Sequence, residues 1–297
     1  MRLDIIMPAH NEQHRIDETL RSYRQTCPGD GVSFVIALDD CSDHTLDVVE
    51  KHASTDPRVH AVQYPRLGKG GVVSETFRAS QAEFVAFVDA DGATPPEELL
   101  RLVDTCDDLG SDIAIASRYH PASVLPVARG RSRRLFASVF ARLVRRMFGL
   151  EYFDTQCGAK VIRRDAAKRI VPLLSARDFV FDVDLLTTAR DLGYEVAEVP
   201  TVWLDKDGSR LSTGRDSLRM AASLALLWLR HRIVPVQLPS AGVVDLPPEP
   251  QPAADRETAD AETVDRAAAD AGVADRAADG DAAAPQPERS ARVHHAA

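Results

Sequence analysis

Short apolar runs alternate with amphipathic stretches through the first 120 residues. Residues 3–7, 34–38, 59–63, 84–88 and 113–116 are brief apolar segments bounded by polar or turn-forming residues, and each predicts a strand. Between them, 12–25 repeats Ile16, Leu20 and Tyr23 at helical spacing, and 45–52, 70–80 and 97–109 read as further helices. Ser42 or Asp43 is placed to cap the second helix, and Pro95-Pro96 opens the fourth. Strands alternating with helices predict an α/β fold: a mostly parallel sheet with helices on both faces. Ligands of such sheets bind beyond the carboxyl ends of the strands. Those ends carry Pro8-Ala9-His10-Asn11-Glu12, Asp39-Asp40, Asp89-Ala90-Asp91 and Ser117-Arg118-Tyr119. Ordinary loops account for any one of these; four polar ends together predict one functional rim.

Two later segments keep a helical period with a different character. Over 131–150, Leu135, Phe136, Val139, Phe140, Leu143, Val144, Met147 and Phe148 form one stripe, and Arg131, Arg133, Arg134, Arg142, Arg145 and Arg146 fill much of the rest. A basic amphipathic helix of this kind suits an anionic membrane surface; a helix packed on the sheet with a solvated basic face has the same pattern. The segment 216–233 offers Leu224, Leu227, Trp228 and His231 with Arg230 and Arg232, and is expected to add to the same membrane face.

Composition divides the chain near residue 240. The whole is 44% hydrophobic and 27% charged, as globular proteins are. Residues 241–297 have almost no large apolar side chain, run through Pro247-Pro248-Glu249-Pro250, and repeat Asp-Arg at 255–256, 265–266 and 275–276. Such a segment buries too little surface to offset its ordering entropy, so a disordered acidic tail is expected there, following a single domain over 1–240. The tail holds −7 of the chain's net charge of −9, which leaves 1–240 near neutral. A near-neutral body whose aromatics are not interleaved with its basic stretch argues against nucleic acid as a partner. The four cysteines form no Cys-x-x-Cys pair, so no zinc or redox site is indicated and a reducing, cytoplasmic setting is expected. No signal peptide precedes the first strand, and no run is long enough to span a bilayer.

The sharpest chemical signal is Phe87-Val88-Asp89-Ala90-Asp91-Gly92. Two carboxylates at i and i+2 where a buried strand ends require a cationic partner, because an unpaired buried carboxylate is costly. A hard divalent ion takes oxygen ligands and often bridges to substrate phosphates, so Asp-x-Asp here points to a metal–diphosphate site; a plain strand-end turn is the other reading.

Taken together, Ile6-Met7-Pro8-Ala9-His10-Asn11-Glu12, Leu38-Asp39-Asp40-Cys41-Ser42-Asp43 and Asp89-Ala90-Asp91 resemble the opening motifs of family 2 glycosyltransferases. Gly68-Lys69-Gly70-Gly71, Asp91-Gly92-Ala93-Thr94, Asp154-Thr155-Gln156-Cys157-Gly158, the segment 181–186 and Gly208-Ser209-Arg210-Leu211 narrow the similarity to dolichyl-phosphate β-glucosyltransferases, ahead of the dolichol-phosphate mannose synthases. The resemblance covers about 3–230 and implies a GT-A (Rossmann-like) fold. His10 stands where that family usually has Tyr, and Cys41 where it has Gly.

The resemblance also implies roles. Pro8, His10, Glu12, Leu38, Asp40, Ala90 and Asp91 would bind the nucleotide sugar, and Asp89 and Asp91 would serve catalysis by holding Mg2+ or Mn2+ on the diphosphate. The mannose synthases often add a Gln ligand where this chain has Ala93, so water is expected to complete the metal shell. Arg118 would meet donor phosphate, or else form a surface salt bridge. Arg129, Arg133, Lys206 and Arg210 would hold the acceptor phosphate. Asp182 and Asp184, at i and i+2 on a helix, do not share a face, and a structural role against a lid or the arginines is expected for them. The implied activity is inverting transfer of glucose from UDP-glucose to a polyprenyl phosphate, by an enzyme peripheral on the cytoplasmic face of a membrane. Two alternatives stay open: a GDP-mannose-dependent transferase, and a non-enzymatic membrane-surface scaffold with a decayed site.

Overall fold

A computed structural model describes residues 1–126, 131–204 and 215–233, excluding the side chains of 131–137 and 215–218. All lie within the unit Met1–Ser240; the expected tail is outside the described residues.

Five βα repeats open the chain: β1 (Leu3–Ala9), α1 (Ile16–Thr26), β2 (Val32–Asp39), α2 (Thr45–Ala53), β3 (Val59–Tyr64), α3 (Lys69–Ala79), β4 (Phe84–Val88), α4 (Pro96–Asp108), β5 (Ile113–Ser117) and α5 (Arg131–Phe148). Then follow β6 (Ala159–Arg163), α6 (Arg164–Ile170), a single 3-10 turn, α7 (Phe181–Asp191), β7 (Val196–Pro200) and α8 (Arg215–Ile233). The expected elements are all present, within a few residues at their ends. Asp43 accepts the Thr45 amide at 3.0 Å at the start of α2, and Pro96 sits in the first turn of α4.

The seven strands form one sheet in the order β3-β2-β1-β4-β6-β5-β7. Neighbours are parallel except at β6, which runs antiparallel to both β4 and β5. The sheet is therefore mostly parallel with one reversed strand. β6 and β7 were not expected from the pattern. The sequence Ala-Lys-Val-Ile-Arg of β6 puts a lysine inside a short apolar run, and only its buried partner makes Lys160 compatible with a central strand.

Side chains alternate between two cores. Leu3, Ile5 and Met7 join Phe34, Ile36, Phe84 and Ala86 on the face covered by α1, α2 and α4. Ile6, Val85 and Phe87 face the other way, against α3, α6 and α7 and the buried residues of α5 and α8. Burial on both faces is why β4 and β5 are continuous apolar runs.

α5 and α8 refine the amphipathic expectation. Val144 and Phe148 of α5, and Leu224 and Leu227 of α8, lie in the second core, so these members of the expected membrane stripe face the protein instead. Both helices nevertheless leave large apolar side chains outside. Val139 is 52% exposed and Leu143 40% on α5; Leu226 is 69% exposed on α8, with Leu229 and Ile233 also exposed. Arg142, Arg145, Arg146, Arg230 and Arg232 are exposed beside them. No described helix is long and apolar enough to cross a membrane.

Candidate active site

Because β1, β2, β4 and β5 run the same way, their carboxyl ends share one edge of the sheet, and the structure brings the predicted rim together there. His10 Nδ1 lies 2.7 Å from the carbonyl oxygen of Asp39. Asn11 and Asp40 are the non-glycine residues with left-handed backbone among those described, at φ 57° and 53°. Asn and Asp tolerate that region best. The turn is repaid in hydrogen bonds: Asn11 Oδ1 accepts the amides of Ser42 at 2.8 Å and Asp43 at 3.3 Å. Cys41 donates its thiol to the Ala9 carbonyl at 3.4 Å, so the residue standing where glycine is usual ties β1 to β2.

Several predicted donor-binding residues have partners already. The Glu12 carboxylate takes a two-pronged contact from Arg15, Nε to Oε2 at 2.7 Å and Nη2 to Oε1 at 2.7 Å. Leu38 puts its side chain into the core. Pro8 is half-buried at the end of β1. Of the β2-end pair, Asp40 is exposed on the rim, whereas Asp39 is buried and accepts the amides of Leu67 at 2.6 Å and Gly68 at 3.1 Å. Asp39 thus anchors the loop entering α3, a role the sequence reading did not assign.

The loop after β4 is pinned from several sides. The Asp89 amide donates to Gly158 O at 3.0 Å, Thr19 Oγ1 donates to Ala90 O at 3.0 Å, and Tyr23 donates its hydroxyl to Thr94 O at 3.0 Å. Leu204 N donates to Ala93 O at 2.9 Å, and Ala93 N to Asp91 Oδ1 at 3.0 Å. Lys69 Nζ lies 2.7 Å from Asp89 Oδ1 and 5.5 Å from the centre of the Phe87 ring. Burial alone would lower the Lys69 pKa, but Asp89, Asp182 and Asp91 outweigh it and hold the ammonium charged. Burial and then the charge of Asp89 push Asp91 above the usual carboxylate range. Gly158 is required here: a Cβ at that position would lie 1.9 Å from Asp89 Oδ2.

Arg118 is not a free cation. It grips Asp154 with Nε to Oδ2 at 2.6 Å and Nη2 to Oδ1 at 2.9 Å, and its guanidinium lies 5.0 Å from the Trp203 ring centre. Asp154 is 2% exposed; burial raises its pKa, but Arg118 overcomes this and holds it below the ordinary range. The salt bridge is therefore buried, not at the surface as the alternative expectation had it. Asp182 and Asp184 have structural partners among the described residues, and those partners are not arginines. Asp182 meets the fully buried Lys160 at 2.6 Å, and Asp184 accepts the amides of Ser175 at 2.7 Å and Ala176 at 2.8 Å and lies 3.0 Å from His231 Nε2. Arg129, Lys206 and Arg210 lie outside the described residues, as does the side chain of Arg133.

As a metal site, the rim supplies few ligands of its own. Among the described residues no group of three or more His, Cys, Asp or Glu side chains is gathered for an ion. Asp89 is paired with Lys69, and Asp91 uses Oδ1 for the Ala93 amide, which leaves Oδ2 without a hydrogen bond or ion pair among the described residues. That donor set fits an ion held mainly by a diphosphate and water, with one protein carboxylate.

Residues 4–171 match the family model described as Glycosyl transferase family 2. The chain is 32% identical over 246 residues to a dolichyl-phosphate beta-glucosyltransferase of Dictyostelium discoideum, covering 77% of this chain and 74% of that one. It is equally identical over 247 residues, 77% and 76% of the two chains, to the Homo sapiens protein of the same name. Glycosyltransferase AglD of Haloferax volcanii is 28% identical over 79% of this chain, which spans only 38% of its length. Among solved structures, glucosyl-3-phosphoglycerate synthase from Mycobacterium tuberculosis, in complex with Mn2+, UDP and glucosyl-3-phosphoglycerate, superposes with a TM-score of 0.60 at 19% identity, covering 76% and 79% of the chains.

Proposed function

Since the chain belongs to glycosyl transferase family 2, and is a glycosyltransferase, we propose that it moves glucose from UDP-glucose to a polyprenyl phosphate with inversion at the anomeric carbon. The observation that carries this is the similarity, over more than three quarters of the chain, to dolichyl-phosphate β-glucosyltransferases.

In this reaction an oxygen of the acceptor phosphate attacks the anomeric carbon, the bond from that carbon to the donor diphosphate breaks, and UDP leaves with the electron pair. A phosphate monoester is already anionic near pH 7, its second pKa being about 6, so the nucleophile needs no general base. What it needs is positioning. The rim suits that task. Glu12, Asp39, Asp89 and Asp154 are each held by a cation or by backbone amides, and the β4 loop is tied down by α1, Gly158 and Leu204. Asp91 would hold Mg2+ or Mn2+ with the donor's diphosphate, and the ion would stabilise charge on departing UDP. His10 and Asp40 would meet the nucleotide. Arg118, spent on Asp154, orients the 154–158 segment beside Asp89. Arg129, Arg133, Lys206 and Arg210 are the cations proposed to receive the acceptor phosphate.

The acceptor's bilayer implies peripheral docking at a cytoplasmic membrane face. The exposed apolar residues of α5 and α8, with arginines beside them, support this.

The test is a donor panel. The purified full-length chain is incubated with UDP-glucose, GDP-mannose and other nucleotide sugars, with polyprenyl phosphate or phosphoglyceric acid as acceptor. Lipid-linked glucose formed from UDP-glucose is the expected product. Preference for GDP-mannose overturns the donor, transfer only to the soluble acid overturns the lipid acceptor, and no product with any pair removes the enzymatic reading.

A further inference from the structure

We propose that Lys69 is a positioning residue: a cation built into the chain that occupies Asp89 and leaves Asp91 as the carboxylate that receives a divalent ion. The proposal rests on the nucleotide-sugar reading above and assigns within it a residue that the sequence marked only as part of a glycine-rich segment.

Three observations carry it. First, the ion pair is direct, Nζ to Asp89 Oδ1 at 2.7 Å, and among the described residues Lys69 is the ammonium paired with this loop. The neighbouring buried lysine, Lys160, is committed to Asp182 at 2.6 Å and to the Cys157 carbonyl at 2.8 Å. Second, Asp89 has little freedom to leave. Its other oxygen lies where a Cβ on residue 158 would be, and its amide is bonded to Gly158 O. Asp91 retains an oxygen without a hydrogen bond or ion pair among the described residues.

Third, the segment that delivers Lys69 is built for close fit. Gly68 has φ 79°, and a Cβ there would lie 2.5 Å from the Arg177 carbonyl oxygen. A Cβ at Gly70 would lie 2.5 Å from the Phe181 Cβ. The amides of Gly70 and Gly71 both donate to Arg177 O, at 3.0 and 3.3 Å, and Asp39 takes the amides of Leu67 and Gly68. Gly68-Lys69-Gly70-Gly71 thus reads as a device for holding one lysine at a fixed place against the catalytic loop.

Two carboxylates two residues apart would attract a divalent ion to both. With Lys69 on Asp89, the local negative charge falls by one, and an ion entering from the diphosphate side finds a single open carboxylate. Binding of free metal is then weak, and metal is taken up with the donor.

The experiment measures Mn2+ alone by electron paramagnetic resonance of the full-length chain without nucleotide, and again with UDP. Asp91→Asn is expected to lose Mn2+ binding, whereas Asp89→Asn, which removes one negative charge but not the ligand, should weaken it by no more than about tenfold. Lys69→Met should tighten binding of Mn2+ alone by about tenfold, because it frees the second carboxylate, and Lys69→Arg should stay near wild type. The double variant Lys69→Met/Asp89→Asn should return to the wild-type affinity, since the lysine acts through Asp89. Thermal melts of each variant verify folding. The proposal is overturned if Asp89→Asn loses Mn2+ as completely as Asp91→Asn, if Lys69→Met leaves the affinity unchanged or weaker, or if its gain persists in the double variant. Glucosyl transfer by the wild-type chain in the donor panel together with any of these results overturns only the role of Lys69; a wild-type chain that transfers no sugar and binds no Mn2+ even with UDP overturns both.

Discussion

Arg118 and Asp154 show how a single pair of side chains changes its meaning with its surroundings. Each carries a charge out of water, and each has the other as its chief counter-ion. Removing one partner leaves the other buried and unpaired, so Asp154→Ala is expected to cost about 3–5 kcal/mol in unfolding free energy, read by chemical denaturation. The pH dependence has a definite sign. Asp154 is held below the ordinary carboxylate range in the folded chain, so its contribution is fully present above the unfolded pKa of about 3.9 and is lost as pH falls through the folded value. The gap in stability between wild type and Asp154→Asn should therefore be constant near neutrality and narrow below about pH 4. A gap unchanged down to pH 2 would mean that folding does not lower the Asp154 pKa and that the ionised pair is not what separates the two proteins. The sequence flagged both residues, Arg118 at a strand end and Asp154 in a glycosyltransferase-like segment, yet it paired neither with the other. They are 36 residues apart, and a parallel-sheet topology with one reversed strand had to place them side by side.

At the scale of elements, α5 and α8 divide their surfaces between two tasks. Val144, Phe148, Leu224 and Leu227 hold the helices to the sheet, and substitutions there should act on stability. The exposed Arg142, Arg145 and Arg146 lie off that core face, and each arginine near an anionic surface is worth about 1 kcal/mol. Changing all three to Glu is expected to release the chain from anionic liposomes in co-sedimentation while leaving its melting temperature within a few degrees. Activity on bilayer-embedded polyprenyl phosphate should fall with it, and activity on a detergent-dispersed acceptor should not. Liposome binding that survives the triple change would show that these arginines do not face the membrane. The helical period was legible because apolar and basic residues alternate at 3.6-residue spacing. Which apolar residues meet the core was not legible, because a stripe wide enough to pack on a sheet and also touch lipid has the same period in both uses.

For the whole molecule, the boundary expected near residue 240 rests on composition. Deleting 241–297 is expected to leave the melting temperature and specific activity nearly unchanged, because a segment with so little apolar surface makes few native contacts. A fall of many degrees on calorimetry would show that the body depends on it. The order of the first five strands and their helices, the α/β class, the rim of strand ends and the Asp89–Asp91 pair were determined by the sequence alone, whereas β6 and β7 were not. The features it determined rest on local periodicity and on the rule that parallel strands present their carboxyl ends together. The partnerships were decided only by the tertiary structure. Lys69 on Asp89, Lys160 on Asp182, Asp39 on the Leu67 and Gly68 amides, and Arg118 on Asp154 join residues 20 to 36 positions apart. A charge inside a fold is stable only beside its counter-charge. Which charges become neighbours depends on strand order, and strand order is set by the packing of the whole sheet.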